Sequence, residues 1–123
     1  MAKAADKRIL VVDDEPDVRN FLATCIEDAG FFVETAGDGV EALEKLDASV
    51  TVVFVDIKMP VMDGIELVKE IRKRGSSVPI LMITTESAQE RIDEAKSAGA
   101  NGYMVKPFTS AKIQKQLNDI LRN

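Results

Sequence analysis

The chain has 123 residues, 46% apolar and 30% charged, so one domain of ordinary size is expected, with a core that removes roughly two thirds of the unfolded surface from water. Sixteen Lys and Arg against 21 Asp and Glu leave a net charge of -5, the wrong sign for a nucleic-acid footprint. Histidine is absent and Cys25 is the single cysteine, which excludes Ser-His-Asp and Cys-His catalysis, His-containing zinc sites, phosphate carried on a histidine of this chain, and an intrachain disulfide.

Residues 1–7 show no periodicity and are expected to be a disordered lead before a domain over 8–123. Arg8 to Val12 is a short apolar run, read as a buried strand that stops at Asp13-Asp14-Glu15-Pro16. Pro16 suits the first turn of a helix, and Val18, Phe21, Leu22, Cys25, Ile26 and Ala29 mark one helical face ended by Gly30. Cys25 on that face reads as core. Phe31 to Ala36 reads as a second strand, and Val40, Leu43 and Leu46 mark a short helix after the Gly37-Asp38-Gly39 turn. Val50 to Val55 is β-branched nearly throughout, the strongest strand signal, and it stops at Asp56. After a loop with Pro60 and Asp63-Gly64, Ile65, Val68 and Ile71 make a third helix ended near Gly75. Pro79 to Thr84 is a fourth strand. Residues 87–98 form a fourth helix whose apolar content is Ile92 and small alanines, so it is expected to be the least firmly held. Gly102 to Val105 is a fifth strand, and after Lys106-Pro107 a last helix carries Ile113, Leu117, Ile120 and Leu121.

Five strands alternating with five helices predict an α/β fold with a doubly wound parallel sheet and ligands beyond the carboxyl ends of the strands; two five-stranded orders deserve weight, and the flavodoxin-like order 2-1-3-4-5 is the one that puts strand 1 centrally, with a switch point between strands 1 and 3. The residues that close those strands are Asp13 and Asp14, Asp56, Thr84 with Thr85 behind it, and Lys106. Each acid has a plain local explanation. Asp13 or Asp14 could cap a helix, and Asp56 could start a turn. Together they are harder to explain by stability, because like charges about 4 Å apart repel by roughly 4 kcal/mol at an effective dielectric of 20. Either their pKa values rise or a cation binds. Lys106 neutralises one charge. A hard divalent cation with oxygen ligands, magnesium above all, suits the rest. Such a site beside a carboxylate, a hydroxyl and an ammonium is suited to phosphoryl transfer, with Asp56 as a nucleophile that needs no general base.

The segments 9–15 (ILVVDDE), 56–64 (DIKMPVMDG), 79–84 (PILMIT) and 102–108 (GYMVKPF) resemble the receiver domain of two-component response regulators, and the likeness extends over about residues 8–121. Within that family the chain is most similar to the CheY-like, single-domain subgroup. The resemblance implies that Asp56 accepts a phosphoryl group from the phosphohistidine of a sensor kinase or phosphotransfer protein. Magnesium, or manganese in its place, would be held by Asp13, Asp14 and Asp56, with Asp14 direct and Asp13 partly through water, and by the backbone carbonyl of Lys58. Lys106 would bind the phosphoryl group, Thr84 would move to meet it, and Tyr103 would follow Thr84 as an aromatic switch, although Tyr103 also reads simply as a half-buried strand residue. The backbone N–H groups of Lys58 and Thr85 would contact phosphoryl oxygens, the bond before Pro107 would be cis, and the side chains of Lys58 and Glu86 would set the phosphoryl lifetime unless both are merely solvated charges. An output protein, not identified by the sequence, would dock on the face of the fourth helix, fifth strand and fifth helix.

The expected molecule is a cytoplasmic monomer that binds neither nucleic acid nor membrane, since no apolar run nears the roughly 18 residues of a span and the first residues lack a signal core. It is expected to be a self-phosphorylating and self-dephosphorylating switch rather than a turnover enzyme. Two alternatives stay within this chemistry: a phosphorelay intermediate, or a receiver cut from a longer regulator. Two others leave it. A phosphatase of the haloacid-dehalogenase type wants an acid two residues after the nucleophile, where Lys58 stands. A flavin carrier wants a Ser/Thr/Gly phosphate loop, where Asp13-Asp14-Glu15 would repel the phosphate.

Overall fold

The computed structural model describes residues 8–85 and 89–122, so the expectations for residues 1–7 and for Glu86 lie outside the described residues. Five strands, β1 (Arg8–Val12), β2 (Phe32–Ala36), β3 (Val50–Asp56), β4 (Ile80–Thr84) and β5 (Gly102–Val105), alternate with five helices. These are α1 (Pro16–Asp28), α2 (Gly39–Lys45), α3 (Gly64–Lys73), α4 (Gln89–Ala98) and α5 (Ser110–Arg122). All pairings are parallel and the strand order is β2-β1-β3-β4-β5. The strand boundaries expected at Phe31 and Pro79 move inward by one residue.

Strand alternation splits the core into two apolar layers. Ile9, Val11, Val52, Phe54, Leu81, Ile83 and Met104 pack under α1 and α5, which contribute Leu22, Cys25, Ile26, Ile113 and Leu117. Leu10, Val12, Val53, Val55 and Met82 face the other way, onto α2, α3 and α4. Among its described side chains α4 itself buries Ile92 and Ala95, in keeping with a thin apolar anchor.

One polar hub supplements that anchor. The Arg72 guanidinium at the end of α3 donates to the carbonyls of Gly99 (3.1 and 2.8 Å), Ser76 (3.0 Å) and Val78 (2.7 Å) and to Asn101 Oδ1 (3.0 Å). Asn101 Oδ1 in turn accepts from the Ile80 N–H at 2.8 Å. Gly99, at φ 119°, leaves the room this fork needs, since a Cβ there would stand 2.9 Å from Arg72 Cγ and Nε. Arg72→Met is therefore expected to cost about 2–4 kcal/mol in urea unfolding, and Arg72→Lys to recover little, because one ammonium cannot reproduce a planar fork.

A candidate phosphoryl-transfer site at the carboxyl edge

Parity along the strands decides which ends meet. Asp13 is two residues past Val11, Asp56 two past Phe54, and Lys106 two past Met104, so all three carry the orientation of the α1/α5 layer. Register then brings them together. Val12 pairs with Val55, which sets Asp13 beside Asp56, and Asp56 pairs with Ile83, itself opposite Met104. Thr84 and Tyr103 have the opposite parity, that of Met82 and Val55, toward α4.

The result is an acidic cluster around one lysine, with Asp13 and Asp56 buried and Glu15 exposed. Asp13 and Asp56 are 0% and 2% exposed. Lys106 Nζ lies 3.4 Å from Asp13 Oδ2, 3.5 Å from Glu15 Oε1 and 3.8 Å from Asp56 Oδ1. Oxygens of Asp13, Glu15 and Asp56 come within 4.8 Å of one another, a donor set of the kind that suits a hard cation. Burial, followed by the neighbouring Asp13 charge, pushes the Asp56 carboxyl up to about 7; Lys106 and a hydrogen bond from the Lys58 backbone N–H act in the opposite direction. A carboxylate held this far from its ordinary range is costly to ionise without a further cation.

Local backbone supports this edge. Asp13 Oδ1 accepts from the Glu15 N–H at 2.9 Å, and the Asp13 N–H donates to the Ala36 carbonyl at 3.1 Å. The loop leaving Asp56 contains a γ-turn, with Met62 N–H donating to Pro60 O at 2.8 Å. Its centre, Val61, sits at φ 70°, a strained value for a β-branched residue, and is 91% exposed. Met59 is buried and Met62 packs on the core, as loop packing requires. Asp63 ends the loop as the N-cap of α3 in a capping box with Glu66, and also takes an ion pair from Arg91 of α4 at 3.2 Å.

The other expected site residues lie around this centre. Asp14 is half-buried, and its charge adds to the upward push on Asp56, but its carboxylate is not among the three whose oxygens converge. Glu15, for which the sequence suggested no role at the site, joins Asp13 and Asp56 there; its adjacency to the acid pair was the available signal. Thr84 is buried, and its carbonyl accepts from the Lys106 N–H at 2.7 Å. Thr85 is exposed and, with Lys106, lines an apolar groove of about 510 Å³ floored by Val18, Phe21 and Phe108. The Lys58 side chain is exposed, and the Lys106–Pro107 peptide is cis. Tyr103 is 37% exposed, with Lys96 Nζ of α4 at 5.5 Å from its ring centroid.

A doubly wound sheet that sets two buried aspartates and a lysine at its carboxyl edge defines a phosphoryl-accepting class of protein, and the chain belongs to the response regulator receiver domain family, whose profile matches residues 9–118. It is 41% identical over 117 residues to the transcriptional regulatory protein CpxR homolog of Haemophilus influenzae, covering 94% of this chain but only 50% of that protein. The structure of chemotaxis protein CheY4 of Vibrio cholerae is 42% identical, with a TM-score of 0.89 over 94% of this chain and 99% of that one. TrrA of Thermotoga maritima, solved in complex with Mg2+ and BeF, is 36% identical, with a TM-score of 0.83 over 93% of this chain and 98% of that one. The chain therefore spans half of one relative and nearly the whole of the other two. Among the described residues, no helix is long and apolar enough to cross a membrane.

Proposed function

We propose that Asp56 is the phosphoacceptor of a CheY-like switch. The observation that carries this reading is the pairing of buried Asp56 with Asp13 and Lys106 at 3.8 Å or less from the ammonium. An Asp56 Oδ attacks the phosphorus of a phosphohistidine; the P–N bond breaks, and its electron pair leaves with the imidazole nitrogen, which takes up a proton. Lys106 already faces Asp56 and is placed to hold a phosphoryl oxygen, with the Lys58 and Thr85 N–H groups as further donors. Asp13, Asp14 and Asp56 with the Lys58 carbonyl would hold magnesium, for which TrrA offers a parallel. Bound there, the ion supplies positive charge against the phosphoryl oxygens.

The output follows from parity. Thr84 and Tyr103 both face α4, a helix with a thin apolar anchor, so a shift of Thr84 toward a phosphoryl group is felt by Tyr103 and α4 together. The partner face is that of α4, β5 and α5, the kinase is the donor, and the setting is the cytoplasm. Chemotaxis, suggested by CheY4, is one such output. A receiver within a longer regulator is the second reading, favoured by the half-length match to the Haemophilus protein. The Lys58 side chain, exposed beside Asp56, tunes hydrolysis together with Glu86.

The test is incubation with acetyl phosphate, with and without magnesium, read by intact mass. Wild type is expected to gain the mass of one phosphoryl group only with magnesium, and Asp56→Asn to gain none. A fully phosphorylated Asp56→Asn protein would overturn the assignment.

A further inference from the structure

Every polar handle of Asp13 is occupied, and one of them is held from outside the site. Its N–H is fixed by Ala36 O, its Oδ1 by the Glu15 N–H and its Oδ2 by Lys106. Its carbonyl oxygen accepts from Arg19 Nη1 of α1 at 2.9 Å. Arg19 also stands beside the turn after β2. Its Nη1 would be 3.5 Å from a Cβ at Gly37, whose N–H donates to Glu41 Oε1 at 2.8 Å; that hydrogen bond and then Lys45 hold the Glu41 carboxyl below the usual carboxylate range, with the Arg19 charge as the smallest contributor. Arg19 thus links the acidic turn after β1 to the turn after β2.

We propose that Arg19 is a positioning residue for magnesium, acting through the Asp13 carbonyl; the inference rests on the reading of Asp13 and its neighbours as the metal-holding turn. The peptide plane that Arg19 grips joins Asp13 to Asp14, so its tilt sets the direction in which both carboxylates leave the chain. The bond is charge-assisted and made by a fork with limited freedom, which makes it one of the stronger single restraints on that plane. Groups that orient metal ligands from outside the coordination shell commonly contribute 10–100-fold to affinity. Arg19 acts one bond further away, through main chain, so the expected share is smaller, about 3–10-fold.

The guanidinium has a second, opposing influence. As a cation near the acidic turn it disfavours a further cation there. The two influences predict opposite signs when Arg19 is replaced by an uncharged residue of similar length, so a binding measurement separates them. Removing the restraint weakens magnesium binding, whereas removing only a repelling charge strengthens it. A role confined to holding α1 and the β2 turn in place would lower stability and leave magnesium affinity unchanged.

The experiment is a magnesium titration of wild type, Asp56→Asn, Arg19→Met and Arg19→Lys, followed by the backbone amide resonances of Asp13, Asp14 and Asp56, with urea unfolding of each metal-free protein alongside. Arg19→Met is expected to raise the magnesium Kd about 3–10-fold. Arg19→Lys, which keeps the charge but presents a single-point donor, is expected to fall between it and wild type. A Kd for Arg19→Met within twofold of wild type, or tighter, overturns the inference whatever happens to stability. If Arg19→Met does not fold, Arg19→Lys is read alone: a loss of twofold or more supports the inference and a smaller one overturns it. Failure of the underlying reading looks different, since wild type and Asp56→Asn would then both show no saturable magnesium shift at these amides, and the inference falls with it.

Discussion

Asp56→Asn is expected to make the metal-free protein more stable at pH 8, by about 4 kcal/mol at most. Asp56 has its folded-state pKa raised from 3.8 to about 7, chiefly by burial and next by the Asp13 charge. A carboxyl raised in this way binds more protons folded than unfolded between those values. Its contribution to stability is therefore fully present below about pH 4 and is lost as pH rises through about 7. At 1.36 kcal/mol per pH unit the loss approaches 4 kcal/mol, on the order of 10 °C in Tm for a chain of this length. Asparagine cannot ionise and escapes it. Thermal unfolding of both proteins from pH 4 to pH 8 without divalent cations checks this: the two curves should lie close at low pH and separate as pH rises. Magnesium should then restore wild type selectively, by mass action on the folded state. An Asn variant no more stable than wild type at pH 8 would show that Asp56 ionises without cost.

Gly64→Ala is expected to be the most damaging small substitution near the site. A Cβ on Gly64 would stand 2.2 Å from the Asp56 carbonyl oxygen and 2.9 Å from the Asp56 carbonyl carbon and Ile57 Cα, all of it backbone. The Gly64 N–H also donates to Ile57 O at 2.8 Å, so α3 starts directly against the end of β3. Relief requires moving either helix or strand, at about 3 kcal/mol or more. Gly75 provides the comparison. Its φ is 87°, but a Cβ there meets nothing within 4 Å, so Gly75→Ala is expected to cost only about 1–2 kcal/mol from backbone strain. Urea unfolding should rank the two clearly. In Gly64→Ala molecules that still fold, phosphorylation by acetyl phosphate should slow by about 100-fold, because a displacement on the order of 1 Å spoils an in-line attack. Equal stabilities for the two variants would refute the close-contact argument.

The alternation of apolar runs with helical faces was enough to specify five strands, five helices and their parallel arrangement, because a strand buried on both faces must be apolar throughout. The acids and the lysine at the strand ends were equally legible. Asp13, Asp56 and Lys106 each follow an unbroken apolar run, so their chain positions alone place them at one edge of the sheet. The order 2-1-3-4-5 came from the family resemblance, since composition and periodicity do not specify which strands are neighbours.

Other features depended on tertiary geometry. The one-residue difference between Asp13 and Asp14 is a matter of strand parity, and it puts Asp13 fully in the buried cluster and leaves Asp14 half-buried beside it. Glu15 enters the cluster because the chain turns into α1 there, and its own N–H is held by Asp13. Arg19 looks in sequence like an ordinary polar position on an amphipathic helix, yet its reach back over six residues to the Asp13 carbonyl depends on how the chain turns from β1 into α1. Arg72 is similar: it joins Gly99 and Asn101, 27 and 29 residues away, through hydrogen bonds that no local pattern encodes. Burial periodicity is local and repeats every two or 3.6 residues, so it can be read along the chain. The direction of a long side chain and the field at a carboxylate are set by neighbours distant in sequence, and only the folded chain brings those together.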